Sequence, residues 1–216
     1  MFELLIRSWP LLKTAIWVTV WLGLGAFVFG SILGMLIALM RNSTYRLLRF
    51  MAFMYVSVFR GTPLLVQLLL IYFGLPNYGI ELGPITSSLI ALSLFSAAYL
   101  SENFRSGINA VDVGQWEASF AMGMGYWKCL QRVILPQAMR VALPSVGGQL
   151  VALIKDTSLA SIITVVEMTS VAQQMGAATF RYMEMFLIVG FIYWSINQCL
   201  TLVQTYIEGR LSRRIS

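Results

Sequence analysis

The chain has 216 residues, of which 58% are apolar and 11% charged, with a net charge of +6. That leaves too little polar surface to cover an ordinary soluble domain of this length, and the apolar blocks are longer than a buried soluble helix needs. There is no histidine, and Cys129 and Cys199 lie far apart without CxxC spacing. His-based catalysis, the common zinc and iron sets and a disulfide framework are therefore excluded.

What remains is an all-α, polytopic membrane protein forming one domain over residues 1–216. Five spans are expected, over 14–40, 54–75, 84–107, 141–166 and 185–207. The first is too long for a signal-peptide core and lacks a small-residue cleavage site, so it reads as a retained span. It carries Ala26, Gly30, Gly34 and Ala38 at four-residue intervals. Such a stripe either admits another helix closely or reflects the ordinary tolerance of membrane helices for glycine.

Basic residues sort the connections. Arg41, Arg46 and Arg49 follow the first span; Arg105, Lys128, Arg132 and Arg140 surround the third connection; Arg210, Arg213 and Arg214 close the chain. The other connections are poor in Lys and Arg. The positive-inside rule then puts the N-terminus outside and the C-terminus in the cytoplasm. The positive charge is topological, and no nucleic-acid partner is expected.

In the second span, Pro63 removes a helix hydrogen bond and frees a carbonyl within reach of Arg60; snorkelling to the interface is the alternative for Arg60. At the end of the third span, Glu102 and Arg105 stand three residues apart and read as an interfacial pair, with pathway lining as the alternative. The third connection, about 113–136, is too apolar for a loop and too charged for a span. As one helix it puts Trp116, Phe120, Gly123, Trp127, Leu130 and Ile134 on a single face. That face serves either a protein partner or the lipid surface.

The fourth span is interrupted by Lys155-Asp156-Thr157-Ser158. Lys or Asp at a span centre costs about 2.5–3.5 kcal/mol on insertion scales. A helix break would satisfy both charges, with Thr157 and Ser158 capping a restarted half-helix. A cation, a carboxylate and free backbone donors together suit a zwitterion. Gln149, two turns before Asp156, shares its face and adds an uncharged amide. A structural ion pair is the plainer alternative.

These segments resemble the membrane subunit of ABC importers for polar amino acids, in the histidine, glutamine and arginine permease group of type I importers. The resemblance spans essentially the whole chain. Glu117-Ala118, Gly123 and Leu135-Pro136 match that family's EAA loop, with Ser119 in place of the usual second Ala. The runs Phe59 to Gln67 and Lys155 to Leu159 match the amino acid subgroup.

The resemblance implies a type I importer fold in the bacterial cytoplasmic membrane. The permease pairs with a second copy or a paralogue, and a separate ATPase docks on Glu117, Ala118, Phe120, Gly123, Trp127, Leu135 and Pro136. An extracytoplasmic binding protein delivers the amino acid. Gln149, Lys155, Asp156, Thr157, Ser158 and Glu102 are the candidate substrate residues, with Gln149 favouring a neutral, glutamine-like side chain. No GxxxxGK[ST] loop occurs, so ATP and magnesium are expected on the partner and no cofactor or metal on this chain. A secondary transporter, a scaffold and a membrane enzyme are the rival classes; the last lacks a catalytic constellation.

Overall fold

The computed structural model describes residues 2–212, with backbone only for 211 and 212. Arg213 and Arg214 of the basic C-terminal group lie outside the described residues. The helices are α1 (Phe2–Arg41), α2 (Arg46–Gly61), α3 (Leu64–Leu69), α4 (Pro84–Asn109), α5 (Val113–Ala121), α6 (Tyr126–Cys129), α7 (Leu135–Asp156), α8 (Met168–Thr179) and α9 (Tyr182–Ser212). A widened π-type turn over Leu70–Gly74 and a tight turn over Leu75–Tyr78 prolong α3. A second widened turn, Leu130–Ile134, joins α6 to α7, and 3₁₀ turns carry α7 on through Ile163.

Among the described residues, four stretches are long and apolar enough to cross a membrane, Phe2–Arg41, Pro84–Asn109, Tyr126–Ile163 and Tyr182–Arg210, and a bent pair makes a fifth if taken as one span. The expected second span is not one rod, because Arg46–Gly61 and Leu64–Tyr78 meet at 104°. Proline explains the bend: it lacks an N–H, and it drives the preceding residue out of the helical region. Thr62 is extended, at φ −120° and ψ 146°. Arg60 does not take the freed carbonyls. The Gln67 amide does, donating to the Phe59 carbonyl at 2.9 Å, the Thr62 carbonyl at 3.2 Å and the Thr62 hydroxyl at 2.9 Å.

At 40 residues, α1 is about 60 Å long, twice the ~30 Å of a hydrocarbon core. Its small-residue stripe packs on α4. A Cβ at Gly34 would stand 3.0 Å from the Ala97 carbonyl oxygen and 3.1 Å from the Ser101 nitrogen. The stripe is therefore a close helix–helix contact, in which only small residues let the backbones approach.

The central core joins four helices and the 3₁₀ segment. Leu22, Leu68, Leu92, Leu153 and Ile163 bury together, locking α1, α3, α4 and α7 around the point where α7 ends. A second cluster holds Leu4, Leu12 and Ala15 of α1 against Met168 and Val171 of α8 and Met185 and Ile188 of α9. This contact explains why α1 begins well before the expected Thr14. It also packs the connection between the fourth and fifth expected spans as a helix, α8.

Candidate functional site

Three groups of candidate residues occupy three separate places. The first is the connection between α4 and α7, which is not one amphipathic helix. Asp112 caps α5, its carboxylate accepting from the Gly114 N–H at 2.7 Å. The helix ends at a left-handed Gly123, φ +76°, where the Met124 N–H reaches back to the Ser119 carbonyl and the Gly123 N–H to that of Phe120. This Schellman arrangement satisfies the last carbonyls of α5 and turns the chain sharply. Trp116 stacks on Tyr126 across the turn, with ring centroids 5.7 Å apart, and fixes α5 against α6.

The turn also divides the expected apolar face. Leu130 and Ile134 bury in the protein's own bundle with Ile108, Val111 and Ala138. Glu117, Ala118, Phe120, Gly123 and Trp127 stay exposed, as does Pro136; Leu135 is half-buried at the start of α7. Ser119 is buried, its hydroxyl donating to the Gln115 carbonyl at 2.7 Å. Its departure from the family's alanine therefore leaves no polar group stranded.

The second place is the end of α7, which stops at Asp156 inside the expected fourth span. The break is there, but the cap is not where the sequence places it. Thr157 is buried and its hydroxyl donates back to the Ile154 carbonyl at 2.7 Å. The 3₁₀ run ends at Thr164 in the left-handed region, φ 69°, and the restarted helix is α8, capped by Glu167. The Glu167 carboxylate accepts from the N–H groups of Thr169 at 2.9 Å and Ser170 at 2.7 Å, and from the Tyr193 hydroxyl at 2.7 Å. Burial pushes its carboxyl above the usual carboxylate range, against the pull of those donors.

Lys155 and Ser158 line a cleft of about 310 Å³ with Thr169 of α8 and Phe186, Gly190 and Tyr193 of α9. Asp156 does not line it, since consecutive helical residues point about 100° apart. Asp156 and Gln149, both partly buried on α7, share the other face. The end of α7 thus offers a carboxylate with an amide on one side and an exposed ammonium on the other. Glu167 escapes a sequence reading that averages over apolar windows. Its signal is an acid immediately before the helix-periodic Met168, Val171, Ala172 and Met175.

The third place holds Glu102, which the structure does not bring to Lys155 and Asp156. Gly23 of α1 faces Ile154, whereas Arg41 of α1 pairs with Glu102, so the two levels lie ~27 Å apart along that helix. Glu102 meets Arg41 at 2.8 Å and Arg105 at 2.7 Å. The interfacial Glu102–Arg105 pair is thus part of a three-residue network tying α4 to α1. Arg60 lies over the Tyr99 ring, 5.1 Å from its centroid, in the adjoining cleft.

The sequence profile of the family described as binding-protein-dependent transport system inner membrane component matches residues 30–213. The chain is 46% identical over 209 residues to the L-cystine transport system permease protein TcyB of Bacillus subtilis (strain 168), covering 96% of this chain and 89% of that protein. It is 37% identical over 211 residues to the arginine transport system permease protein ArtQ of the same organism, covering 97% and 96%. Among solved structures, a crystal structure of an amino acid ABC transporter with histidines superposes with a TM-score of 0.90 at 35% identity. That match covers 97% of this chain and 98% of the other.

Proposed function

Because this chain belongs to the family of binding-protein-dependent transport system inner membrane components, we propose that it is the permease of an ATP-driven importer of neutral polar amino acids. It is a membrane permease of an amino acid ABC importer. The finer reading names the substrate class and the residues that recognise it. Glutamine and cystine both fall in that class, each zwitterionic and without net side-chain charge.

The observation that carries the partner assignment is the α5–Gly123–α6 turn. It leaves Glu117, Ala118, Phe120 and Trp127 exposed on a rigid corner, while the rest of the same segment is buried. A separate ATPase docks on this corner, and its closure on ATP rocks the spans between inward- and outward-facing states. A second copy or a paralogue completes the permease pair, and an extracytoplasmic binding protein presents the amino acid. The corner lies on the cytoplasmic side, as the basic connections imply.

The substrate assignment rests on the end of α7. Asp156 suits the ammonium of an amino acid, and the Gln149 amide suits a neutral polar side chain. A carboxylate at position 149 would suit a cationic one. Lys155 and Ser158 face the separate cleft against α8 and α9 and make a second set of substrate candidates there.

Reconstitution tests both halves. The permease, its ATPase and its binding protein in proteoliposomes are expected to accumulate glutamine or cystine only with ATP in the lumen, on the ATPase face, and the binding protein outside. Uptake driven by a proton or sodium gradient without ATP would instead indicate a secondary transporter. ATP-dependent uptake of arginine in preference to both neutral amino acids would retain the importer and overturn the role of Gln149.

A further inference from the structure

At the basic end of the bundle, a groove of about 580 Å³ opens between the last turns of α1, the start of α2 and the start of α6. Its walls include Leu36, Leu39, Met40, Leu48, Tyr126 and Trp127, and Asn42 to Tyr45 form its mouth. Leu36 is 54% exposed and Trp127 63%. A trench of this kind is large and apolar enough to hold a hydrocarbon chain.

The charge around it has one sign. The two segments that build much of the groove, 42–53 and 122–134, carry Arg46, Arg49, Lys128 and Arg132 and no Asp or Glu. The Arg49 guanidinium is held at the mouth, its Nη1 donating to the Ser43 carbonyl at 3.2 Å. Lys128 follows Trp127 directly and is exposed. Tyr126 and Trp127 meet edge to face at 5.4 Å and form an aromatic wall beside these cations.

A ligand that fits must carry a long apolar body and an anionic head. A second copy of the same surface would bring like charges together. We propose that the groove binds an anionic phospholipid, with one acyl chain along Leu36, Met40 and Leu48 and its phosphate at Arg49 and the Ser43 mouth. Basic side chains beside an apolar trench recognise such a headgroup through charge and hydrogen bonds together. The lipid then lies against α6 and shares Trp127 with the corner assigned above to ATPase docking, so its binding rests on that corner leaving the groove open in the assembled complex.

The test uses the permease assembled with its ATPase in phosphatidylcholine nanodiscs. A minor fraction of brominated lipid is added, either phosphatidylglycerol or phosphatidylcholine. The fluorescence of Trp127 is taken as the difference between the parent and Trp127→Phe. Brominated phosphatidylglycerol is expected to quench it about fivefold more strongly than brominated phosphatidylcholine at equal fraction. Combined Arg46→Gln and Arg49→Gln substitution is expected to bring that ratio to about one. Equal quenching of the parent by both lipids overturns the proposal. So does a Trp127 signal that both lipids quench in the isolated permease but neither quenches in the complex, which would give the groove to the ATPase. The parent comparison decides the matter even where the double variant misfolds.

Discussion

The Tyr193 hydroxyl on α9 donates to the Glu167 carboxylate that caps α8, at 2.7 Å. Two backbone N–H groups share the same carboxylate. One buried side chain therefore closes a helix start and clamps that helix to its neighbour. Glu167→Ala leaves buried donors without an acceptor and is expected to cost roughly 2 kcal/mol, with Tyr193→Phe costing about half of that. Thermal unfolding of the purified permease measures both. A Glu167→Ala protein that melts with the parent would show that the clamp contributes nothing.

At Gly123 the constraint is the backbone itself. Nothing lies within 4 Å of an added Cβ there, but φ is +76°. A β-branched residue in the left-handed region costs on the order of 1–2 kcal/mol, whereas Asn visits it readily. Gly123→Val is expected to insert normally but to lose stimulated ATP hydrolysis and uptake, with Gly123→Asn close to the parent. Equal activity of the Val and Asn variants would remove the turn from the coupling role.

Asp156→Asn keeps the shape of the α7 terminus and removes its charge. Uptake and substrate-stimulated ATPase are expected to fall at least about tenfold, the loss of one charge-assisted contact, while the assembled complex elutes unchanged. Gln149→Glu is expected to shift the preference between arginine and glutamine toward arginine by about tenfold. Competition uptake assays read both. Unchanged uptake by Asp156→Asn would strike that residue from the site.

The α1–α4 contact has no slack. At Gly34 the atoms facing an added side chain include the Ala97 carbonyl and the Ser101 nitrogen, which are backbone and cannot swing aside. Gly34→Leu is expected to destabilise the bundle by about 1–3 kcal/mol or more. Lower detergent-solubilised yield and a lower unfolding temperature would register it. A fully stable Gly34→Leu protein would leave the four-residue spacing without structural meaning.

Most of the membrane architecture was legible because a bilayer makes long apolar segments conspicuous, whereas the small residues at four-residue spacing left two readings open, of which the structure shows the close contact. Three local features were not legible. The face from Trp116 to Ile134 keeps its helical phase through the Gly123 turn, so periodicity masked a break that Met-Gly-Met-Gly advertises. Glu167 sits between apolar runs, where a window average dilutes a single acid. Pro63 announced a lost helix hydrogen bond inside one span, but the bend and the Gln67 side chain that takes the freed carbonyls depend on three-dimensional placement.

That elbow is pinned from one side of the bend to the other. The Gln67 amide spreads its donors over acceptors on Phe59 and Thr62, before the bend, from a position after it. Water would replace such bonds one at a time in a soluble protein, letting the angle drift. In a bilayer, little water is available to take their place. Changing the angle of the joint between α2 and α3 would therefore cost these bonds without replacement.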